Sequence, residues 1–392
     1  MRILLANQPQ TAFGGSETYL LTVAPHLQRL GHEVEILAPP GGLAGELAEG
    51  RGLRVVTDPD AVSDPEVVLS QDGETAYAMA GRHPDAVRVY VIHSSIYEAQ
   101  RPPQTEHVCQ AIVALNDAMR DQARVLAAPA EILRIRQPVD VQRFTDRGAR
   151  GERARRVLLL GNHWGGPGYR NFEIVADACD ELGLELDHVG TGGRISATPE
   201  VDIAGSDVVI GLGRCVLEAM SSARAAYVFG NFGGDGWVTP DSYEKMEAIG
   251  FAGGTFNRIV DRETLVADLR DFDPDMGQVN RQLAVVNHDA HRHAGRLVDL
   301  FRSLQPHPVN DPAALDELER MVRVQRETDE RTVLAEIDNR RLRSENERLR
   351  SEHETAIDEL GRLRGHLAAV VGGRRYRIAQ ALGRPLDLFR RR

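Results

Sequence analysis

The sequence has few cysteines and almost no lysine. Its 392 residues include three cysteines, Cys109, Cys179 and Cys215, which are far apart and show no paired spacing. This argues against a disulfide framework or a zinc site and is typical of a protein of the reducing cytosol. Lys245 is the one lysine, so the basic residues are almost all arginine. A formal net charge of −11 argues against nucleic acid as a general partner.

Long apolar runs are also missing. No run approaches the roughly 20 residues that a membrane span needs, and the N-terminal MRILLANQPQ holds only a short apolar stretch. That stretch predicts a buried strand rather than a signal peptide, so we expect a cytoplasmic protein. Apolar residues still make up 42% of the chain, enough for sizeable cores. The length predicts two or three domains.

Residues 1–150 predict one α/β domain. Apolar runs alternate with helical stretches, a pattern that predicts a parallel sheet. Gly14 and Gly15 follow the first run, Arg2–Ala6, where a diglycine lets a ligand approach the backbone; a plain tight turn is the alternative. His93 follows the run Val87–Ile92. We therefore expect His93 at the carboxyl edge of the sheet, where sites form, although a lone histidine is more often structural.

The same pattern restarts in residues 151–305 and predicts a second α/β domain. A polar linker, Thr145–Arg156, separates the two. After the strand Val157–Leu160, a glycine-rich loop runs from Gly161 to Arg170. Arg170 is either a phosphate ligand, because arginine presents a planar donor fork, or a surface residue on a flexible loop. We expect helices near Arg262–Leu269 and over Val279–Leu304 to close this domain.

The stretch Ser206–Pro240 predicts strand, glycine turn, helix, strand and then a glycine-rich loop at Asn231–Gly236. A helix that starts directly after a strand presents free N–H groups and its positive dipole end outside the sheet. Anions bind at such places in open α/β sheets. Glu218 lies about one turn into this helix. From its spacing alone it is either a binding residue or a solvated helix residue.

Residues 312–371 differ in character. Leu342, Leu349, Ala356, Leu363 and Val370 are seven residues apart, and a companion seam holds Asn346, His353, Leu360 and Leu367. This heptad pattern predicts a short coiled coil and hence a homo-oligomer. The alternative is one long solvated helix packed back on the core.

Residues 372–392 form a basic tail. Arg374–Arg392 has seven arginines and one aspartate, interleaved with apolar and aromatic residues. Such a segment favours contact with an anionic membrane surface. A disordered solubilising tail is the alternative.

Together these motifs resemble the GT-B glycosyltransferases, and most of all the retaining family 4 group. The resemblance covers residues 1 to about 304. It is carried by Gly14-Gly15, His93, RQPVDVQRF at 136–144, Arg170 and GRCVLEAMSSARA at 213–225. It implies two Rossmann-like domains that face each other across a cleft, with the acceptor mainly on the first domain and the nucleotide mainly on the second.

The resemblance also implies roles for single residues. Glu218 would bind the donor ribose, Arg170 the diphosphate, and His93 the transferring sugar, with His93 and Arg170 as the catalytic pair. The remaining donor-binding residues would be Gly14, Gly15, Gly161, Gly213 and Arg214. The implied reaction moves a sugar, with retention and without a metal or other cofactor, from a nucleotide-sugar to a glycan or glycolipid, as in the synthesis of a cell-surface polysaccharide.

The chain departs from this family at two positions. The family's first glutamate falls on Ile210, eight residues before Glu218, and an expected arginine falls on Asn162. These changes leave two other functions open. One is a non-catalytic GT-B scaffold held together by its coiled coil, and the other is a nucleotide-sugar epimerase.

Overall fold

The computed structural model describes residues 1–7, 14–38, 43–93, 98–127, 129–147, 151–162, 164–231, 233–309, 311, 313–373 and 377–378. The chain divides into two compact units, residues 1–330 and 331–392. The predicted basic tail lies outside the described residues, apart from residues 377 and 378.

The first sheet is built from the apolar runs of residues 1–150. In the described part of the chain, its strands are β1 (Arg2–Ala6), β2 (Glu33–Leu37), β3 (Arg54–Val56), β4 (Val67–Ser70), β5 (Val87–Ile92), β6 (Ala111–Ala114) and β7 (Glu131–Arg134). Its helices are α1 (Gly15–Arg29), α2 (Leu43–Gly50), α3 (Gly73–Arg82) and α4 (Asp117–Leu126). The order is β3-β2-β1-β4-β5-β6-β7, all parallel. The winding reverses between β1 and β4, which is where α/β sheets bind ligands.

A second sheet follows in residues 156–237. Its described strands are β8 (Arg156–Leu160), β9 (Glu185–Val189), β10 (Val208–Gly211), β11 (Ala225–Gly230) and β12 (Gly233–Trp237). Its helices are α5 (Arg170–Leu182), α6 (Pro199–Ala204), α7 (Arg214–Ser221), α8 (Pro240–Ala248), α9 (Arg262–Arg270) and α10 (Met276–His288). The order is β12-β11-β10-β8-β9. The winding reverses between β8 and β10, so the glycine turns after these two strands flank the second reversal.

The predicted loop Asn231–Gly236 is wrong over most of its length. Gly233–Trp237 forms β12, which pairs antiparallel with β11 at the edge of the sheet. Glycine is required there because the backbones crowd: a Cβ on Gly233 would lie 2.3 Å from the carbonyl oxygen of Gly253. The glycine-rich composition of this segment predicts a loop, whereas its pairing with β11 makes it a strand.

The predicted helix Val279–Leu304 is also wrong, because it is two helices. Helix α10 ends at His288, α11 (Ala290–Ser303) begins after Asp289, and the Asp289 carboxylate caps α11 by accepting from the His291 and Arg292 amides. The break pairs with the linker from the first sheet. Val139 N donates to the His288 carbonyl at 2.8 Å, and Ala290 N donates to the Val139 carbonyl at 3.0 Å.

Helix α11 packs on the first sheet and not on the second. Its buried residues Ala294, Leu297 and Phe301 join the core cluster of Leu5 and Leu27. The apolar face of α11 therefore completes the first core, while α10 packs with the second core through Ala284. The chain crosses from the second sheet back to the first at Asp289.

Helix α12 (Ala313–Gly372) begins on the first unit. Leu315 is buried, and Leu318 and Val322 pack against the same core cluster. Arg326 Nε donates to a carboxylate oxygen of Glu74 at 2.9 Å. The turns before residue 330 are thus fixed to the folded unit. Among the described residues, no helix is both long enough and apolar enough to cross a membrane.

Candidate functional site

The diglycine turn opens helix α1 directly after the reversal point of the first sheet. The Gly14 carbonyl accepts from Thr18 N at 3.2 Å and from Thr18 Oγ1 at 2.7 Å. Gly14 N donates to Glu17 Oε2 at 2.8 Å, and Asn7 Nδ2 donates to Glu17 Oε1 at 2.9 Å. The buried Glu17 carboxylate therefore fixes the turn to the end of β1. Our reading of the sequence missed this residue, although a glutamate in the first turn of a helix is a known capping signal.

Helix α7 opens directly after β10, as predicted. Its N-cap, Gly213, has φ +61° and ψ −124°, a conformation that residues with a side chain rarely adopt. Gly213 N donates to the Phe251 carbonyl at 2.9 Å. This glycine lets the chain turn from strand to helix within two residues. The N-terminus of α7 then lies at the carboxyl edge of β10.

Arg214 and Glu218 face each other on α7. Arg214 Nε donates to Glu218 Oε1 at 2.9 Å, and the two side chains are 10% and 9% exposed. The same guanidinium donates to the Pro138 carbonyl at 3.1 Å and to Thr22 Oγ1 at 2.6 Å. Thr22 belongs to α1, so Arg214 joins the second sheet's helix to the first sheet's helix and to the linker. The sequence singled out both residues as donor-binding candidates but predicted neither their ion pair nor this contact.

The charge of Glu218 is balanced by its surroundings. Burial raises the pKa of this carboxyl above its ordinary value, and the Arg214 and Arg143 guanidinium groups oppose that rise. A carboxylate held in this way accepts hydrogen bonds from hydroxyl groups strongly. Glu218 is therefore a preformed acceptor at the edge of the second sheet, and the alternative of a solvated helix residue is wrong.

His93 lies at the carboxyl end of β5, against α1. Its ring packs edge-on to Tyr19 with centroids 5.0 Å apart. Tyr19 donates its hydroxyl hydrogen to His293 Nε2 at 2.8 Å, because His293 Nδ1 already donates to the Arg136 carbonyl at 3.0 Å. Burial lowers the pKa of His93 well below its ordinary value, and the Arg214 charge lowers it further. The imidazole is therefore neutral near pH 7 and serves as a hydrogen-bonding group, not as a cation.

Three polar side chains without full hydrogen bonding gather on this side of the first sheet: Asn7 and Gln71 are buried, and His93 is half-buried with its Nε2 atom inside. Asn7, Gln71 and His93 follow the neighbouring strands β1, β4 and β5, and the register of these strands puts all three on the α1 face. Gln71 is 0% exposed. Within the described residues, Asn7 Oδ1, both amide atoms of Gln71 and His93 Nε2 have no hydrogen-bond partner.

Such atoms are costly. A buried polar group without a hydrogen-bond partner lowers the stability of the fold by about 1–3 kcal/mol. Native folds therefore keep few such groups, mainly at functional sites. The three side chains offer donors and acceptors together, a mixture that fits hydroxyl groups better than phosphate. Asn7 and Gln71 were missed at the sequence level, although both directly follow a buried strand.

Gly161 and Arg170 lie on the β8 side of the second sheet's reversal point, at the same carboxyl edge as the start of α7. Gly161 follows β8 with φ +137°, and a Cβ on Gly190 would lie 2.1 Å from its carbonyl oxygen. Arg170 opens α5, and the next residue, Asn171, donates to the Gly230 carbonyl at 3.1 Å. The Arg170 side chain is exposed and forms no hydrogen bond or ion pair with the described residues. It is not in contact with Glu218 or Arg214.

Ile210 is the residue at which the resemblance implied a first glutamate. It lies inside β10 and is 0% exposed, in the core between the sheet and its helices. In the described part of the chain, no group of three or more His, Cys, Asp or Glu side chains is arranged to hold a metal ion.

The arrangement of the two sheets occurs in solved glycosyltransferases. A glycosyltransferase from Rickettsia africae matches with a TM-score of 0.57 at 12% identity, over 77% of this chain and 98% of that one. This chain has the GT-B fold. HepE from Anabaena, solved in complex with UDP-glucose, matches the GT-B part with a TM-score of 0.55 at 12% identity, over 78% of this chain and 100% of that one.

A third match is a sucrose-phosphate synthase. Sucrose-phosphate synthase from Thermosynechococcus elongatus gives a TM-score of 0.52 at 11% identity, over 76% of this chain and 98% of that one. No protein-family model and no curated protein sequence matches this chain. The predicted GT-B fold is thus confirmed by structure alone.

The two GT-B domains touch at several points within residues 1–330. Besides the Arg214–Thr22 contact, Gly250 packs so closely on Asn116 that a Cβ would lie 2.6 Å from the Asn116 amide nitrogen. Arg134 and Arg136 both pair with the buried Glu247. The Arg214–Thr22 contact and the effect of the Arg214 charge on His93 place His93, Arg214 and Glu218 at the junction of the domains, while Gly14 and Gly15 lie at the start of the same helix as Thr22.

Proposed function

We propose that this GT-B protein is a retaining glycosyltransferase that moves a sugar from a nucleotide-sugar to a cell-surface glycan or glycolipid. The observation that carries the proposal is the buried Arg214–Glu218 pair at the start of α7, joined to α1 by Thr22. It combines an acceptor for ribose hydroxyls, a cation for phosphate and a contact with the opposite domain. The structure of HepE with UDP-glucose supports a nucleotide-sugar donor.

In this proposal the nucleotide lies on the second domain. The ribose hydroxyls donate to Glu218, while Arg214 and the free N–H groups of the first turn of α7 stabilise the diphosphate. Arg170, which is exposed at the start of α5, adds a second cation at the same sheet edge. Positive groups fixed in this way stabilise the leaving group without the help of a metal.

The transferring sugar lies toward the first domain. Gly14 and Gly15 carry no side chain, and a Cβ on Gly15 would meet no heavy atom within 4 Å, so the start of α1 is open to a ligand. Neutral His93 contacts the sugar hydroxyls through Nε2, which has no partner among the described residues. The acceptor then occupies the α1 side of the first sheet, where Asn7 and Gln71 offer further hydrogen bonds.

The reaction step follows from these positions. The acceptor hydroxyl oxygen forms a bond to the anomeric carbon on the face from which the diphosphate leaves, and the bond from that carbon to the phosphate oxygen breaks. The hydroxyl proton passes to the departing phosphate oxygen. Because the new bond forms on the face from which the diphosphate leaves, the configuration at the anomeric carbon is retained. Closure of the two domains excludes water, which would otherwise hydrolyse the donor.

Calorimetric titration with UDP-, GDP- and ADP-sugars tests the donor site. We expect one nucleotide series to bind the wild-type protein and Glu218→Gln to bind it roughly 10- to 100-fold more weakly, because charge-assisted hydrogen bonds contribute about 1.5–3 kcal/mol. Glu263→Gln is the matched control, since Glu263 is exposed on α9. Equal binding by Glu218→Gln and wild type would overturn the ribose role.

A non-catalytic scaffold is the second candidate. The observation that favours it is that Arg214 already neutralises Glu218 while Ile210 leaves no second carboxylate. Hydrolysis of the donor by purified protein, followed as release of the free sugar, separates the two functions. Slow hydrolysis that is lost in Glu218→Gln supports the enzyme, whereas nucleotide binding without any turnover supports the scaffold. An epimerase would instead release the epimeric sugar.

The remaining parts of the proposal concern location. We place the enzyme in the cytoplasm, at the inner face of the membrane, with the basic segment 374–392 on anionic lipid. Co-sedimentation with vesicles that contain an anionic phospholipid tests this. Truncation after residue 373 should abolish binding, and vesicles of neutral lipid should bind neither form.

A further inference from the structure

One surface of helix α12 is apolar and, among the residues that the structure describes, is not covered by another part of the chain. The described residues from 353 to 369 are all exposed. They include Leu360, Leu363 and Leu367, which are 56%, 58% and 65% exposed, and Leu349 just before them is 50% exposed. Earlier in the same helix Leu315 is buried at 1%. A helix that is packed at one end and bare at the other has a missing partner along the bare part.

The bare part has a coiled-coil register. With Leu349, Ala356, Leu363 and Val370 at d, the a positions are Asn346, His353, Leu360 and Leu367. Gly361 and Gly365 fall at b and f, outside the seam, so they do not interrupt it. Asparagine at an a position favours two strands in register, since two asparagine side chains pair across a parallel dimer.

The charges beside the seam decide the orientation. Position g of one helix meets position e of the following heptad on the partner in a parallel pair. By sequence three of the five g–e pairs have opposite charges: Asp338 with Arg343, Glu345 with Arg350, and Glu359 with Arg364; the other two, Glu352 with Ile357 and His366 with Val371, do not. An antiparallel pair would instead match g with g and e with e, which places acidic residues together and arginines together.

We infer that residues 338–371 bind the same segment of a second copy of this chain in a parallel, in-register, two-stranded coiled coil. The apolar d positions and Leu360 and Leu367 supply the attraction, and the Glu–Arg pairs set the direction. The second copy satisfies all three pairs at once by symmetry, because each g residue of one chain meets an e residue of the other.

A charge reversal tests the pairing. Sedimentation equilibrium of the full chain should show a dimer. In Glu359→Arg two arginines face each other on both sides of the seam, so the dimer should dissociate at roughly tenfold higher concentration or more. The double variant Glu359→Arg/Arg364→Glu should restore the wild-type value. Asp358→Arg is the matched control, because it makes the same charge change at the outward f position and should leave the dimer unchanged.

Single cysteines test the orientation. Leu349→Cys and Leu363→Cys each place a thiol at d, and each variant should form a disulfide-linked dimer by itself on mild oxidation. Oxidation of the wild-type chain is the control for the native cysteines, of which Cys109 and Cys179 are buried. Crosslinking only when the two variants are mixed would show an antiparallel pair and overturn the inference. A monomer, a trimer, or equal effects of Asp358→Arg and Glu359→Arg would also overturn it.

Discussion

Arg214 donates to Glu218 within α7 at 2.9 Å and, with the same guanidinium, to Thr22 of the opposite domain at 2.6 Å. Two functions therefore meet in one side chain. It opposes the rise that burial causes in the pKa of the Glu218 carboxyl, and it ties the second domain to α1. A ligand that binds Glu218 must share or replace the Arg214 contact, so binding at this position is coupled to the contact between the domains.

This coupling predicts a large effect of removing only the cation. We expect Arg214→Met to lower the free energy of unfolding by about 3–5 kcal/mol, because it leaves an uncompensated buried carboxylate. The double variant Arg214→Met/Glu218→Leu should recover much of that loss. Urea unfolding of the wild type, both single variants and the double variant gives the coupling energy. Additive effects of the two changes would contradict the ion pair.

The diglycine turn predicts a separation of folding from function. A Cβ on Gly15 would meet no heavy atom within 4 Å. The variant Gly15→Ala should therefore keep the free energy of unfolding of the wild type or raise it by about 0.5–1 kcal/mol. Donor binding should nevertheless weaken, because the methyl group blocks the approach to the backbone. Gly295→Ala in α11 is the matched control, since its Cβ is equally free. Unchanged donor affinity in Gly15→Ala would remove this turn from the site.

We predict that replacing Gln71 by an apolar residue raises the stability of the fold and lowers activity. Replacing a buried amide that lacks partners by an apolar side chain of similar shape is neutral or stabilising, so Gln71→Met should raise the free energy of unfolding by about 1 kcal/mol. Transfer to the acceptor should fall while donor affinity stays the same.

A buried amide with its partners satisfied is the control. Asn280 is 0% exposed, accepts from Ala226 N at 3.0 Å and donates to the Val238 carbonyl at 2.7 Å. Asn280→Leu should therefore destabilise the fold. If Gln71→Met destabilises it to the same extent, Gln71 has a structural role and not a binding role.

The histidines at the domain crossing predict a pH dependence of stability. Burial lowers the pKa of His288 and of His293 to about 3. Between about pH 3 and the ordinary value near 6.5, the unfolded chain binds protons that the folded chain does not. The stabilisation from each histidine is therefore complete above pH 6.5 and is lost as the pH falls.

Urea unfolding between pH 7 and pH 5 measures this effect. The free energy of unfolding should decrease by up to about 1.4 kcal/mol per pH unit for each histidine below pH 6.5. His293→Asn retains a donor for the Arg136 carbonyl and should reduce that slope by about one proton. An exposed histidine replaced in the same way, His366→Asn, should leave the slope unchanged. A slope that is already flat in the wild type would contradict the neutral buried state.

Much of the fold could be predicted because the apolar runs are short, β-branched and separated by helices. The run Val87–Ile92 needs no partner to be recognised as a buried strand, and the structure places β5 on the same residues. The position of Glu218, one turn into a helix after a strand and a glycine turn, could be predicted in the same way, whereas its binding role was implied only by the family resemblance. Local spacing fixes such positions, since period and turn chemistry depend only on neighbours in sequence.

The remaining features depend on distant parts of the chain. The partner of Arg214 in the other domain is Thr22, 192 residues away, and no local pattern indicates it. The break at Asp289 falls inside a continuous helical pattern and becomes visible only when α11 packs on the first sheet. Gln71 differs from an ordinary strand-end residue only through its burial without partners. Long-range packing decides each of these points.

The crossing at Asp289 has a consequence for how the two domains are joined. Helix α11 and the first turns of α12 pack on the first domain, and the second domain is joined to it by two adjacent crossings of the chain, at Val139 and at Asp289. The second domain is thus inserted between two parts of the first, and the two crossings that join it are hydrogen-bonded to each other at Val139 and at the residues on either side of Asp289.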